Sequence, residues 1–116
     1  MKVPEIQVVD LARERCEDCR PGTPTLAPEV ARELAAGLDP DWVLSEAWIE
    51  RTFTFMSFNA AFGLATRVAL LAEAQGHHPD LEVGWDRLRV RLTTHAIGGL
   101  SRNDLIMAAK IDRLVR

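Results

Sequence analysis

The chain predicts an α+β domain in the order α-ββ-α-ββ-α: a four-stranded antiparallel sheet with helices packed on one face. Three observations carry this reading. Two pairs of short segments alternate apolar and polar residues across tight connections, as antiparallel hairpins do. Around them lie stretches with apolar residues at three- and four-residue spacing, bounded by capping residues. The length of 116 residues, 47% hydrophobic and 27% charged, suits one folded domain and excludes a disordered chain. A domain of this size buries roughly two thirds of its unfolded surface, enough for a core without metal or disulfide staples.

Residues 1–27 read as an N-terminal arm draped on a single domain over 28–116. Arg20-Pro21-Gly22-Thr23-Pro24 can be neither helix nor central strand, because each proline removes a donor and restricts its predecessor. A first helix is expected from Pro28 to Ala36, with Pro28 in its first turn, Glu29 and Glu33 early, and Gly37 as its stop. Val30, Leu34 and Leu38 give it one apolar stripe. Asp39-Pro40-Asp41 turns the chain into two strands, Trp42–Leu44 and Trp48–Phe55, joined at Ser45-Glu46-Ala47. Ile49, Phe53 and Phe55 share one face of the second strand, and Arg51 breaks that pattern.

The longest helix is expected from Ser57, a good N-cap, to Gln75, with Gly76 as a left-handed terminator. Phe58, Phe62, Ala65, Ala69 and Ala72 form a stripe that Leu64, Val68 and Leu71 widen. The stripe is broader than one sheet needs, which points to a partner subunit. The loop His77-His78-Pro79-Asp80 leads to a strand at Leu81–Val83, a turn at Gly84-Trp85-Asp86, and a strand from Arg87 to His95. In that last strand Leu88, Val90 and Leu92 face one way, and Arg87, Arg89, Arg91, Thr93 and His95 the other. After Gly98-Gly99, Ser101 caps a final helix carrying Leu105, Ala108, Ala109, Ile111 and Leu114.

A net charge of −3 argues against a general nucleic-acid binder. No apolar run approaches the ~20 residues that span a bilayer, so no membrane partner is expected. The stretch Met1-Lys2-Val3-Pro4-Glu5 lacks the apolar region of a signal peptide. The expected location is therefore the cytoplasm, where Cys16 and Cys19 remain thiols. Their C-x-x-C spacing lies in a proline-rich arm rather than between a strand and a helix start. It reads as two ordinary thiols or a local clasp, not a thioredoxin-type site. The Arg87, Arg89 and Arg91 ridge reads as a solvated or dimer-paired strand face.

All three histidines fall between positions 77 and 95. His77 and His78 follow a helix-ending glycine, and His95 points away from the expected core. Glu73, four residues before His77, can lean over the loop from the last helical turn. Asp104 stands in the first turn of the final helix, where it serves either the helix dipole or the site. Three histidines and two carboxylates also make up a metal-ligand set, but no familiar ligand spacing is present, and no metal is expected.

Glu73-Ala-Gln-Gly-His77-His78-Pro79, followed by Trp85, Leu92-Thr93-Thr94-His95 and Gly99-Leu100-Ser101-x-x-Asp104, resembles the signature of the pterin-4a-carbinolamine dehydratases. The resemblance runs from about Leu26 to the C-terminus. Gly76, Leu81 and Asn103 depart from common family residues.

It implies the same α-ββ-α-ββ-α fold, homodimers or homotetramers, and a hydro-lyase that dehydrates 4a-hydroxytetrahydropterin to quinonoid dihydropterin without a cofactor. That reaction restores the pterin left hydroxylated by aromatic amino-acid hydroxylases, which implies a functional link to such an enzyme. The implied roles are His77 and His95 as acids toward the departing hydroxyl, and His78 as base or pterin anchor. Glu73 and Asp104 would orient them, with Pro79 and Trp85 on the substrate side. The family also contains a coactivator that acts as a dehydratase, and carboxysome-associated relatives lacking catalytic residues. A binding or assembly role on the same fold is therefore the alternative.

Overall fold

The computed structural model describes residues 9–116, so the reading of residues 1–5 as a leaderless N-terminus lies outside the described residues. A short 3₁₀ turn at Leu11–Arg13 precedes α1 (Pro28–Ala35), β1 (Val43–Leu44), β2 (Ile49–Thr54) and α2 (Phe58–Gln75). Then follow β3 (Asp80–Val83), β4 (Arg87–Leu92), a second 3₁₀ turn at His95–Ile97, and α3 (Arg102–Leu114). The four strands lie in the order β1-β2-β4-β3, every neighbouring pair antiparallel. This is the predicted α+β architecture. Among the described residues, no helix is long and apolar enough to cross a membrane.

The register explains which sheet face is buried. Ile49 pairs with Leu92 and Phe53 with Leu88, all four buried, and Val90 between them is fully covered. Leu64, Ala65, Val68 and Ala72 of α2 close over this face together with Leu105, Met107, Ala108 and Ile111 of α3. The opposite face carries charge. Arg89 and Arg91 reach Glu50 at 3.3 and 3.0 Å, Arg87 and Arg89 pair with Glu82, and the Arg91 guanidinium lies 4.3 Å over the Trp48 ring. The arginine ridge is thus an ion-paired strand face.

Arg51 breaks the alternation for a physical reason. It sits opposite Val90 on the core side, yet its guanidinium lies 4.3 Å over the Phe53 ring and donates to Asp112 at 2.8 Å. Asp112 also accepts from the Trp42 indole at 2.7 Å and the Asp39 amide at 2.9 Å. A buried charge is tolerable only when paired and hydrogen-bonded in this way.

Several element-level expectations are corrected. Trp42 precedes β1 instead of opening it, and β4 ends at Leu92, three residues before His95. The buried residues of α2 are Ala61, Leu64, Ala65, Val68 and Ala72, while Phe58 and Phe62 stack on each other at 5.8 Å and stay about half exposed. Leu64, Ala65, Val68 and Ala72 of the expected stripe face the sheet, while its Phe58, Phe62 and Ala69 edge lies too far round the helix to be covered. In α1, Ala31 is the buried residue and Val30 is exposed.

The arm's described residues are tied down along their length. Leu11 enters the core, the Lys110 ammonium donates to the Ala12 carbonyl at 2.8 Å, and Arg102 grips Glu14 with two bonds of 2.7 and 2.8 Å. Farther on, the Leu26 amide donates to the Leu100 carbonyl at 2.9 Å.

Candidate active site

The end of α2 delivers the first two histidines. The Ser57 hydroxyl accepts from the Ala60 amide at 3.1 Å to start the helix, and Gly76 ends it at φ 65°, a left-handed conformation that favours glycine. The chain reverses there, and His77 turns back across the first turn of α3. Its Nε2 lies 2.6 Å from Oδ1 of Asp104.

Asp104 is fully buried. Its Oδ2 accepts from the Ser101 amide at 2.9 Å, which caps α3, and from the Thr94 hydroxyl at 2.8 Å. The Thr94 and Ser101 hydroxyls stand 2.7 Å apart. One carboxylate therefore closes the helix end with one oxygen and holds the imidazole with the other. Asp104 thus caps the helix, as expected, and also contacts His77. An ionised carboxylate only accepts, so Nε2 of His77 carries the proton and Nδ1 is the nitrogen open to exchange.

His78 is more exposed, and its Nε2 pairs with Oε1 of Glu73, one turn back on α2. His95 does not continue β4. Thr94 bridges to Gly99, and His95 starts the 3₁₀ turn that Gly98 closes at φ 71°. It is 79% exposed, with Nε2 3.9 Å from Oδ2 of Asp80.

His77, His78 and His95 line one hollow of about 360 Å³. Two larger hollows, of about 400 and 560 Å³, contain no histidine, so volume alone does not locate the chemistry. Thr93, Thr94 and Asn103 contribute to the histidine hollow, as do Glu17, Asp18 and Cys19 of the arm. Sequence reasoning missed these contributors. Asn103 and the threonines adjoin motif residues and were the available signal, whereas nothing local marks the arm. Glu73 and Asp104 pair with His78 and His77 and do not themselves line the hollow.

Two expected substrate-side residues fall outside. Pro79 shapes the loop but does not line the hollow, and Trp85, 68% exposed, occupies the turn at the far end of the β3–β4 hairpin. A four-residue strand separates it from the histidine loop by roughly 13 Å of chain. Among the described residues, no group of three or more His, Cys, Asp or Glu is placed to hold a metal ion. The two cysteines are free thiols. Burial, ahead of the opposing charge of Lys110, pushes the Cys16 thiol up to about 11.

The chain has known relatives. The family model for pterin 4 alpha carbinolamine dehydratase matches residues 24–114. A protein of Nitrosomonas eutropha provisionally named pterin-4-alpha-carbinolamine dehydratase is 43% identical over 93% of this chain and 96% of its own length. One of the same provisional name from Methylococcus capsulatus is 44% identical over 90% and 92%. The crystal structure of a transcriptional coactivator/pterin dehydratase from Brucella melitensis superposes with a TM-score of 0.72 at 33% identity, covering 80% of this chain and all of that one. A pterin dehydratase-like RuBisCO assembly factor of the alpha-carboxysome, 22% identical with a TM-score of 0.52 over 63% of this chain and 84% of its own, shares the fold. With 33–44% identity to the Nitrosomonas, Methylococcus and Brucella proteins and a family match spanning both the histidine loop and Asp104, the chain belongs to the pterin-4-alpha-carbinolamine dehydratase family.

Proposed function

We propose that this protein is a hydro-lyase that converts 4a-hydroxytetrahydropterin to quinonoid dihydropterin and water. The observation that carries the reading is the meeting of His77, His78 and His95 around one hollow, with Asp104 buried behind His77. In the elimination, the C4a–O bond breaks as a proton reaches the departing oxygen. The N5–H proton leaves, and its electron pair forms the C4a=N5 bond. Imidazole suits both transfers near neutral pH.

His77 and His95 act as the acids toward the hydroxyl, and His78 as base or anchor. Asp104 fixes the His77 tautomer and stabilises its protonated form, and Glu73 does the same for His78. The chemistry is carried by side chains alone. The same reading makes residues 28–116 the working domain, and links the protein to an aromatic amino-acid hydroxylase in the cytoplasm. It also assigns a homodimer or homotetramer.

The test is the dehydration of a carbinolamine followed by absorbance, with each histidine replaced by alanine and with chelator present. His77→Ala and His95→Ala are expected to lose about 10²–10⁴ of the rate, with the unaltered protein insensitive to chelator. Full activity in both variants refutes the assignment. The alternative, a binding or assembly role like those named for the Brucella and carboxysome proteins, draws on the exposed Phe58, Phe62 and Leu70 of α2. A stable protein partner on pull-down, with no dehydratase rate, favours it.

A further inference from the structure

The geometry points to Asn103 as a positioning residue that makes the arm a wall of the pterin site. On that wall, Glu17 and Asp18 face the N–H donor edge of the pterin. This rests on the proposed dehydratase reading and extends it to substrate recognition.

Asn103 is buried in the first turn of α3, one residue before the aspartate that holds His77. Both ends of its carboxamide go to the arm. Oδ1 accepts from the Glu17 amide at 2.9 Å, while Nδ2 donates to the Glu17 carbonyl and meets Sγ of Cys19 at 3.5 Å. Its own carbonyl accepts from the Cys16 thiol at 3.7 Å, and the Cys16 amide donates to Oε1 of Gln75 at 3.1 Å. Residues 16–19 are thus fastened to the ends of α2 and α3 that carry the His77–Asp104 pair. Glu17, Asp18 and Cys19 line the same hollow as the three histidines.

Among the described residues, the Glu17 and Asp18 carboxylates take no hydrogen bond or ion pair, whereas Glu14 just upstream is gripped by Arg102. A pterin presents N3–H and a 2-amino group side by side, a donor pair that matches a carboxylate as a guanidinium fork does. The hollow therefore carries two chemistries: imidazoles for the proton transfers, and carboxylates for the ring's donor edge.

The experiment uses the full-length protein, with steady-state dehydration kinetics on Asn103→Ala and on the double variant Glu17→Gln/Asp18→Asn. Equilibrium binding of 7,8-dihydrobiopterin is measured beside them by fluorescence. Both variants are expected to raise KM about 10-fold while kcat stays within about threefold, a split that simple loss of stability does not produce. The exposed double variant keeps the test open if Asn103→Ala folds poorly. A KM within twofold of the unaltered protein in either folded variant overturns the assignment, as does a loss confined to kcat. If the unaltered protein binds the pterin without turnover, the dehydratase reading fails while the arm is still judged by the Kd of the variants. If it binds no pterin, both fail.

Discussion

Replacing Asp104 by asparagine changes one heavy atom without opening a cavity, so it isolates the charge and the acceptor. The Ser101 amide can only donate, which requires the asparagine oxygen at the Oδ2 position, 2.9 Å away. The NH₂ group then occupies the Oδ1 position, 2.6 Å from His77 Nε2. Two donors cannot face each other, so Nε2 gives up its proton, the tautomer flips, and the protonated ring loses its counter-charge. The lost charge-assisted bond contributes about 1.5–3 kcal/mol. At about 4 °C per kcal/mol for a domain of this length, the melting temperature drops by about 6–12 °C.

The larger effect falls on rate. Without that counter-charge the protonated ring proposed as the acid is disfavoured, and the step forfeits about 10²–10⁴ in rate. Stopped-flow absorbance of carbinolamine dehydration, with circular dichroism to verify folding, reads both quantities. A folded Asp104→Asn protein with kcat within threefold of the unaltered one refutes the idea that this carboxylate organises the proton transfer.

Other outcomes follow from the same physics. Asp112→Ala removes the acceptor of the Trp42 indole and the Asp39 amide, and the nearest of three carboxylates around Arg51. That guanidinium, its side chain 11% exposed, is left to Asp39 at 3.5 Å and Asp41 at 3.9 Å. Urea unfolding is expected to show a loss of about 3–5 kcal/mol, and a loss below 1 kcal/mol refutes the network's role. Because burial raises the Cys16 thiol from 9.0 to about 11, its thiolate fraction at pH 8 is about 100-fold below that of the unfolded chain. Alkylation at Cys16, followed by peptide mass spectrometry, should be slow at pH 8 and climb about tenfold per pH unit toward 11. A fast reaction at pH 8 in the folded protein contradicts its burial.

How far the site could be read depended on whether each signal was local. Ser57 and Gly76 bracket α2 by capping chemistry that needs no tertiary partner, so the loop bearing His77 and His78 was placed correctly. Extending the parity of β4 turns His95 away from the core, and it is exposed, but the strand ends at Leu92 and the residue belongs to a 3₁₀ turn. Parity also made Arg51 an anomaly, because its partner Asp112 lies 61 residues away. Trp85 belongs to the motif in sequence yet sits across the hairpin from the histidines.

Element order, the buried sheet face and the histidine-carboxylate set were determined by the chain itself, since periodicity and caps act over a few residues. Only the tertiary structure decided that Asp104 serves helix end and imidazole together, that Asn103 clasps the arm, and that residues 17–19 line the hollow. Those contacts join segments 27 to 86 positions apart, and no local rule of backbone geometry carries information across such a separation.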